Sequence, residues 1–505
     1  MTRLPLALVL LAVGTARVHA QPDSTAPSPG AGLDPSALAF PGGYRLRPLA
    51  PSERLALGTQ PMLTLGQVLT SVERHHPLVD LGRARVAAAA GEQLAAEGGF
   101  DLTLTAEGWG APVGYYDWAR ADVALVQPTP LWGATVWAGW RIGRGGQLPD
   151  YYGHQRTLDL GEVRAGLRVP LWRDGPIDAR RARTRQAEHG LRAEEADLDA
   201  RLIALRYEAT SAYVRWVAAG LRYQVAARLL ELAEARDEQI LARVQAGGSP
   251  PLDALENRRV VAARRGTLVA ARRALEQAAI ALSLYLRRAD GTPWVAPPAR
   301  MPEALDAPPP SSFELRREIR DAWARRPETA RVRALLDRQA VSVELAENQV
   351  APRIDVGLAA SLDLGAGTPR EQETLGAAVV EGSILFSMPL QLREARGRLR
   401  TTRAELSALR ADARRIADGI AAEVQDAASA TRAAEEAVAL AEESAEVAEA
   451  VAEAERRRFA LGATELFVVN LREEAAAAAQ AALVDARGAL VIAHARWRAA
   501  TGRRE

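Results

Sequence analysis

Two stretches, Asp178–Ala246 and Glu394–Ala460, each run for close to 70 residues of helix-forming sequence without a proline. At ~1.5 Å rise per residue, such a helix is a rod of about 100 Å. Ordinary globular helices run about 8–20 residues, so the chain must build an extended helical assembly. The second stretch consists mainly of Ala, Glu, Arg, Leu and Val. Its apolar positions Leu406, Leu409, Ala413, Ile416 and Ile420 recur at spacings of three and four. That is a stripe along one side and not an all-round core. Much of the stripe is alanine, which lets helix axes approach closely. This suits a cylinder of many packed helices better than a simple two-stranded coiled coil.

The order of segments occurs twice. Block one reads as helix over Leu63–Gly91, strands over Phe100–Leu171, the first long helix, a turn at Gly247–Pro251, and a helix over Leu252–Leu286. Block two reads as helix over Ser312–Asn348, strands over Arg353–Leu390, the second long helix, a turn at Leu461–Thr464, and a helix over Glu465–Ala500. Pro170 maps to Pro389, 219 residues on, and Gly247 maps to Gly462, 215 residues on. A near-constant long offset points to duplication of one structural unit. The domains expected are a first repeat at 63–292, a linker at 293–311 and a second repeat at 312–502.

The strand segments alternate. Ile354, Val356, Leu358, Ala360, Leu362 and Leu364 interleave with Asp355, Gly357, Ala359, Ser361 and Asp363. Val163, Ala165, Leu167 and Val169 interleave with Glu162, Arg164, Gly166 and Arg168. Period-two alternation fits a half-buried strand of a soluble sheet and equally a strand with one lipid-facing side. Two strands per repeat cannot close a barrel within one chain, and open edges cannot sit in lipid. A barrel would have to be shared between copies. Block one carries about 33 residues more than block two between the matched prolines. They read as a further hairpin whose Trp132, Trp137 and Trp140 fit either an interfacial aromatic belt or plain packing.

Arg3, the apolar run Leu4–Val13 and Val18-His19-Ala20 form the pattern of a secretory signal peptide over 1–20. A Pro/Ser-rich leader follows at 21–62. Beyond the signal segment, the reading finds no run of ~18 apolar residues, so membrane contact is expected through strands or surface helices. The net charge of +1 gives no argument for nucleic acid. There is no cysteine and no G-x-x-x-x-G-K-[ST] loop. His75-His76 lacks the partners of a metal site, and no catalytic set stands out. The reading is therefore of a protein that is not an enzyme, with no cofactor and no metal.

Phe459-Ala460-Leu461-Gly462-Ala463-Thr464-Glu465-Leu466, the looser Arg243–Gly248 with Leu252–Leu255, and the twofold strand-to-helix joint at Val169-Pro170-Leu171 and Met388-Pro389-Leu390 resemble the TolC-like outer-membrane efflux family. The resemblance spans Leu63 to Gly502. It implies a fold that is mainly α with β: a long antiparallel coiled-coil α-helical barrel joined to a transmembrane β-barrel shared by a homotrimer. That barrel would have twelve strands, or eighteen if the extra hairpin joins the wall. The resemblance further implies an outer-membrane exit duct reaching into the periplasm, for efflux or type I secretion. Its partners would be a second and third copy, a periplasmic adaptor, an inner-membrane pump and outer-membrane lipid. The helix tips would form the gate and the adaptor dock, using Gly247, Gly248, Leu252, Asp253, Glu256, Phe459, Gly462, Thr464, Glu465, Leu466, Val468 and Leu471. Where the family often carries an aspartate ring, this chain has Val468 and Leu471. The nearest carboxylates are Glu465, Glu473 and Glu474, and a hydrophobic constriction is the alternative. The competing readings are a periplasmic adaptor and a coiled-coil scaffold. The duplicated hairpins and strands argue against both.

Overall fold

The computed structural model describes residues 62–503, apart from 114–116, 146–155, 249, 307 and 310–312. The expected signal peptide and all of the leader except Met62 lie outside the described residues. The first repeat contains α1 (Leu65–His75), α2 (Pro77–Glu97), β1 (Thr103–Ala111), β2 (Trp118–Pro128), β3 (Thr135–Gly145), β4 (Glu162–Pro170), α3 (Ala179–Gln245) and α4 (Pro251–Leu282). The second contains α5 (Leu315–Arg325), α6 (Pro327–Asn348), β5 (Arg353–Asp363), α7 (Pro369–Leu375), β6 (Val379–Ser387), α8 (Arg393–Ala460) and α9 (Leu466–Ala500).

The two proline-free stretches are single helices. α3 has 67 residues and α8 has 68, about 100 Å each. The Asp178 carboxylate starts α3 by accepting from the Arg180 and Arg181 amides at 2.8 and 3.0 Å. Shorter helices lie alongside the rods. α2, α4, α6 and α9 pack on α3, and α6 and α9 pack on α8. Neither rod would be stable alone, since helical stability in proteins comes mostly from packing of an apolar face.

The main core sits at mid-rod around Trp216, which is fully buried with Leu63, Val68, Val72, Val217, Leu282 and Met301. The connector between the repeats is part of this core. Its Ala296, Met301 and Leu305 are buried, and its Arg300 carbonyl accepts from the Leu63 amide at 2.8 Å. Gly220 of α3 makes room for it, because a Cβ there would stand 1.7 Å from the Met301 sulfur.

The helices expected at Leu63–Gly91 and Ser312–Asn348 are each broken, at His76 and Arg326. Both breaks precede a proline, which disfavours helical backbone in the residue before it and occupies the first position of the next helix. The extended residues there have ψ of 126° and 128°. The caps differ. His76 Nδ1 accepts from the Leu78 amide at 3.2 Å, and its ring stacks on Tyr285. Arg326 instead reaches Glu328 at 2.6 Å and Glu423 at 2.5 Å.

Among the described residues, six strands form one antiparallel sheet in the order β1 to β6. The repeats join where β4 pairs with β5, with Leu167 opposite Leu358 and Pro170 opposite Asp355. The extra hairpin of block one is therefore part of the same sheet. By length and composition α9 is apolar enough to cross a membrane, although charged residues interrupt its apolar run. Its alanines pack instead along α8 and α3, and it carries a fully buried charge at Glu473.

Burial, and secondarily Arg287, holds the His76 imidazole below its ordinary value against the opposing pull of Glu208 and Asp80. The folded value is thus below the unfolded value of about 6.5, so the unfolded chain binds more protons on acidification. The cap's contribution is present above about pH 6.5 and is lost as pH falls through the lowered folded value. His76→Asn keeps an acceptor without the titration. Thermal melts at pH 7.5 and 5 should show a larger acid loss in the parent, by about 1 kcal/mol.

Candidate functional site

Two regions carry functional geometry: the sheet at one end of the rods and the helix tips at the other. Cross-strand register sorts the sheet into two faces. Leu104, Leu125, Ala138, Ala165 and Ala360 follow one another across β1 to β5, and Leu358 and Ile384 extend the same face to β6. Apart from Gln127 and Arg144 near its margins, this face is mostly apolar and open to the surroundings. Ile384 is 79% exposed and Leu358 57% exposed.

The opposite face is ion-paired. Arg120 meets Asp122 at 2.5 Å, Arg141 meets Glu162, and Arg353 meets Asp355 at 2.7 Å. Arg164 lies 3.8 Å from Asp122 and stacks over the Trp137 ring at 5.1 Å. Trp137 also lies against Gly166, where a Cβ would fall 2.6 Å from the ring. Trp137 therefore belongs to the ionic face, whereas Trp140 shares the apolar face with Val163. Trp132 lies in the β2–β3 turn with φ of +53°. The belt of Trp132, Trp137 and Trp140 does not form, because an odd separation in a strand reverses the side-chain direction.

At the other end, each long helix stops in the same way. Gly247 has φ of +73°, its amide donates to the Val244 carbonyl at 3.0 Å, and the Gly248 amide donates to Arg243 at 2.8 Å. Gly462 also has φ of +73°, with its amide on Phe459 at 3.0 Å and the Ala463 amide on Arg458 at 2.9 Å. Both are Schellman caps, in which a left-handed residue satisfies the last carbonyls. Pro250 and Glu465 then lead into α4 and α9. Ser249 lies outside the described residues.

The two tips touch within one chain. Leu466 and Ala254 are buried with Ile240, against Leu241, Val244 and Phe459, and the Arg243 guanidinium lies 5.5 Å from the Phe459 ring centre. Of the residues expected at the gate, Phe459 and Leu466 are in this cluster. Asp253, Thr464 and Val468 are half-buried, while Gly247, Gly248, Gly462 and Glu465 are exposed. Leu252 and Leu471 are exposed, at 71% and 47%. Half-buried Glu256 pairs with Arg259 at 2.7 Å, and that hydrogen bond holds its carboxyl below the usual range. Glu256 and Leu471 line a groove of about 610 Å³ between α3, α4 and α9, together with Val260, Ala263 and Phe467.

Beside the tip cluster lies a buried charge cluster that was not apparent in the sequence. The Glu473 side chain of α9 has no exposure. It binds Arg236 of α3, Arg264 of α4 at 3.1 Å and Arg456 of α8 at 4.0 Å. Arg236 also donates to Asn470 at 2.7 Å, and Arg264 to the Leu229 carbonyl at 2.8 Å. Burial lowers the Arg264 guanidinium value, and Glu473 opposes the shift. One carboxylate thus ties four helices and both hairpins. This carboxylate, one of those nearest the expected acidic ring, is committed to pairing inside the chain.

No protein-family model matches the chain, and no curated protein sequence matches it. Solved structures do. The outer-membrane channel OprN is 18% identical, over 87% of this chain and 89% of its own, with a TM-score of 0.58. VceC, an outer-membrane protein of Vibrio cholerae, is 17% identical over 87% and 96%, with a TM-score of 0.59. CusC, whose structures concern transmembrane channel formation, is 13% identical over 89% and 96%, with a TM-score of 0.60.

The fold is that of the outer-membrane channels. The likeness covers 87% of the chain for OprN and 89% for CusC.

Removing the Glu473 carboxylate leaves two buried guanidinium groups, those of Arg236 and Arg264, without this counter-charge, which typically costs about 3–5 kcal/mol. Glu473→Ala should lower thermal stability by that order, with Glu473→Gln intermediate, as read by melting of the purified protein. Gly462→Val forces a β-branched residue into left-handed backbone. Since nothing stands within 4 Å of a Cβ there, the cost is conformational alone, about 1–2 kcal/mol. Hydrogen exchange should show faster opening of the last turn of α8 in that variant, with the sheet unaffected.

Proposed function

We propose that the chain is a TolC-like outer-membrane channel, the exit duct of a tripartite efflux or type I secretion system. The observation that carries this reading is the joining of a two-faced sheet, one side apolar and exposed and the other ion-paired, to rods of about 100 Å in a fold shared with outer-membrane channels. An apolar sheet face of this extent needs lipid or a protein cover, and strands of 9 to 11 residues match a bilayer crossed at a tilt. Open edges are not tolerated in lipid, so three copies close the barrel between them.

In this reading the sheet lies in the outer membrane and the rods extend through the periplasm. The apolar face meets lipid and the ionic face lines water. The tips are the entrance, where Gly247, Gly248 and Gly462 make the tight turns. The exposed Leu252 and Glu465, with half-buried Asp253, are available to an adaptor, and through it to an inner-membrane pump that supplies the energy. Val468 and Leu471 in place of acidic residues favour an apolar constriction over a cation-selective ring.

The test is planar-bilayer conductance of detergent-extracted protein, with oligomer mass measured on the same sample. A trimer giving discrete channel steps is the expected result. A protein that stays in solution without detergent and never inserts is a periplasmic partner and not a duct.

A further inference from the structure

The two ends of the sheet are open. Every residue of β6 is exposed, as are eight of the nine in β1. Edge strands of water-soluble sheets are usually guarded by proline, bulges or inward charges. β6 reads Val379-Val380-Glu381-Gly382-Ser383-Ile384-Leu385-Phe386-Ser387 and carries one charge. Because the strand number is even and each pair is antiparallel, β1 and β6 run in opposite directions. The β6 of one copy beside the β1 of another therefore continues the same antiparallel order.

The register also has the stagger of a barrel wall. A line perpendicular to the strands from Thr103 crosses Val126, Trp137, Gly166, Ala359 and Glu381. Thr103 is the helix-proximal end of β1, whereas Glu381 lies six residues from Ser387, the helix-proximal end of β6. Six residues at ~3.4 Å, over five steps of ~4.8 Å, correspond to a strand tilt of about 40°. Closed membrane barrels tilt by about 35–45°. The sheet thus carries the tilt of a closed wall without being closed.

We infer that β1 of each copy pairs with β6 of the next, so that three copies form an eighteen-stranded barrel. This rests on the channel reading above. Keeping the apolar faces aligned pairs even-numbered residues with even. Ala106 then lies opposite Ile384, or opposite Phe386 with the register moved by two. Eighteen strands at this tilt span about 36 Å between backbones, against about 24 Å for twelve. A lumen of that width with an ion-paired wall takes bulky hydrated cargo. The size limit then falls at the helix tips and not in the membrane.

The chain lacks cysteine, so introduced pairs are unambiguous. Ala106→Cys would be combined with Ile384→Cys and, separately, with Phe386→Cys. Ala138→Cys with Ala165→Cys, which face each other in β3 and β4, is the within-chain control. After oxidation in membranes, one of the first two pairs should give covalent dimers and trimers on a denaturing gel, and the control only cross-linked monomer. A conducting trimer in which the control cross-links and neither β1–β6 pair does overturns this closure and leaves the channel reading standing. Absence of both trimer and conductance overturns both.

Discussion

A backbone amide or carbonyl left unpaired in hydrocarbon costs several kcal/mol, and a sheet edge presents a row of them. The sheet of this chain has an apolar exposed face and two bare edges, so it cannot stand alone either in water or in lipid. Water penalises the face and lipid penalises the edges. Both penalties disappear when copies of the chain join edge to edge with the apolar face outward. The ionic face, with Arg120 on Asp122 and Arg353 on Asp355, then has a place in a wet interior. In the proposed channel, oligomeric closure follows from this sheet chemistry.

The rods follow the same logic at the other end. A pair of helices of 67 and 68 residues gains little from propensity alone, and the alanine-rich sides leave few large side chains to interlock. The chain compensates at two points. One is the main core at mid-rod, where Trp216 and Met301 bring the connector into the interior. The other is Glu473, which draws Arg236, Arg264 and Arg456 from three other helices. A buried carboxylate of this kind specifies one arrangement of neighbours, since any other leaves a bare charge in the interior.

Much of this was legible in the sequence. The absence of proline across Asp178–Ala246 gave the first rod, and the alternation from Ile354 to Leu364 gave β5. Gly247 and Gly462 marked the turns because only a left-handed residue ends such a helix cheaply. The helix breaks were written in Pro77 and Pro327, but the apolar pattern ran across them and hid the interruption. Glu473 was not legible as a buried group. It is one acid among many in an alanine- and arginine-rich helix, and its burial depends on which helices come to meet it. Trp137 likewise takes its face from register, which sequence spacing to Trp140 shows only once both are known to share a strand. α9 shows the limit of composition: its alanines sum to a membrane-like hydropathy although the helix packs on its neighbours.

In the proposed channel the two faces of the sheet meet different solvents. Single cysteines at Leu358 and at Ser361, three residues apart in β5 and on opposite faces, would be labelled in native membranes with a water-soluble maleimide. The account predicts rapid labelling at position 361, and protection at position 358 that is lost when the protein is denatured. Equal labelling of the two positions in intact membranes would contradict it.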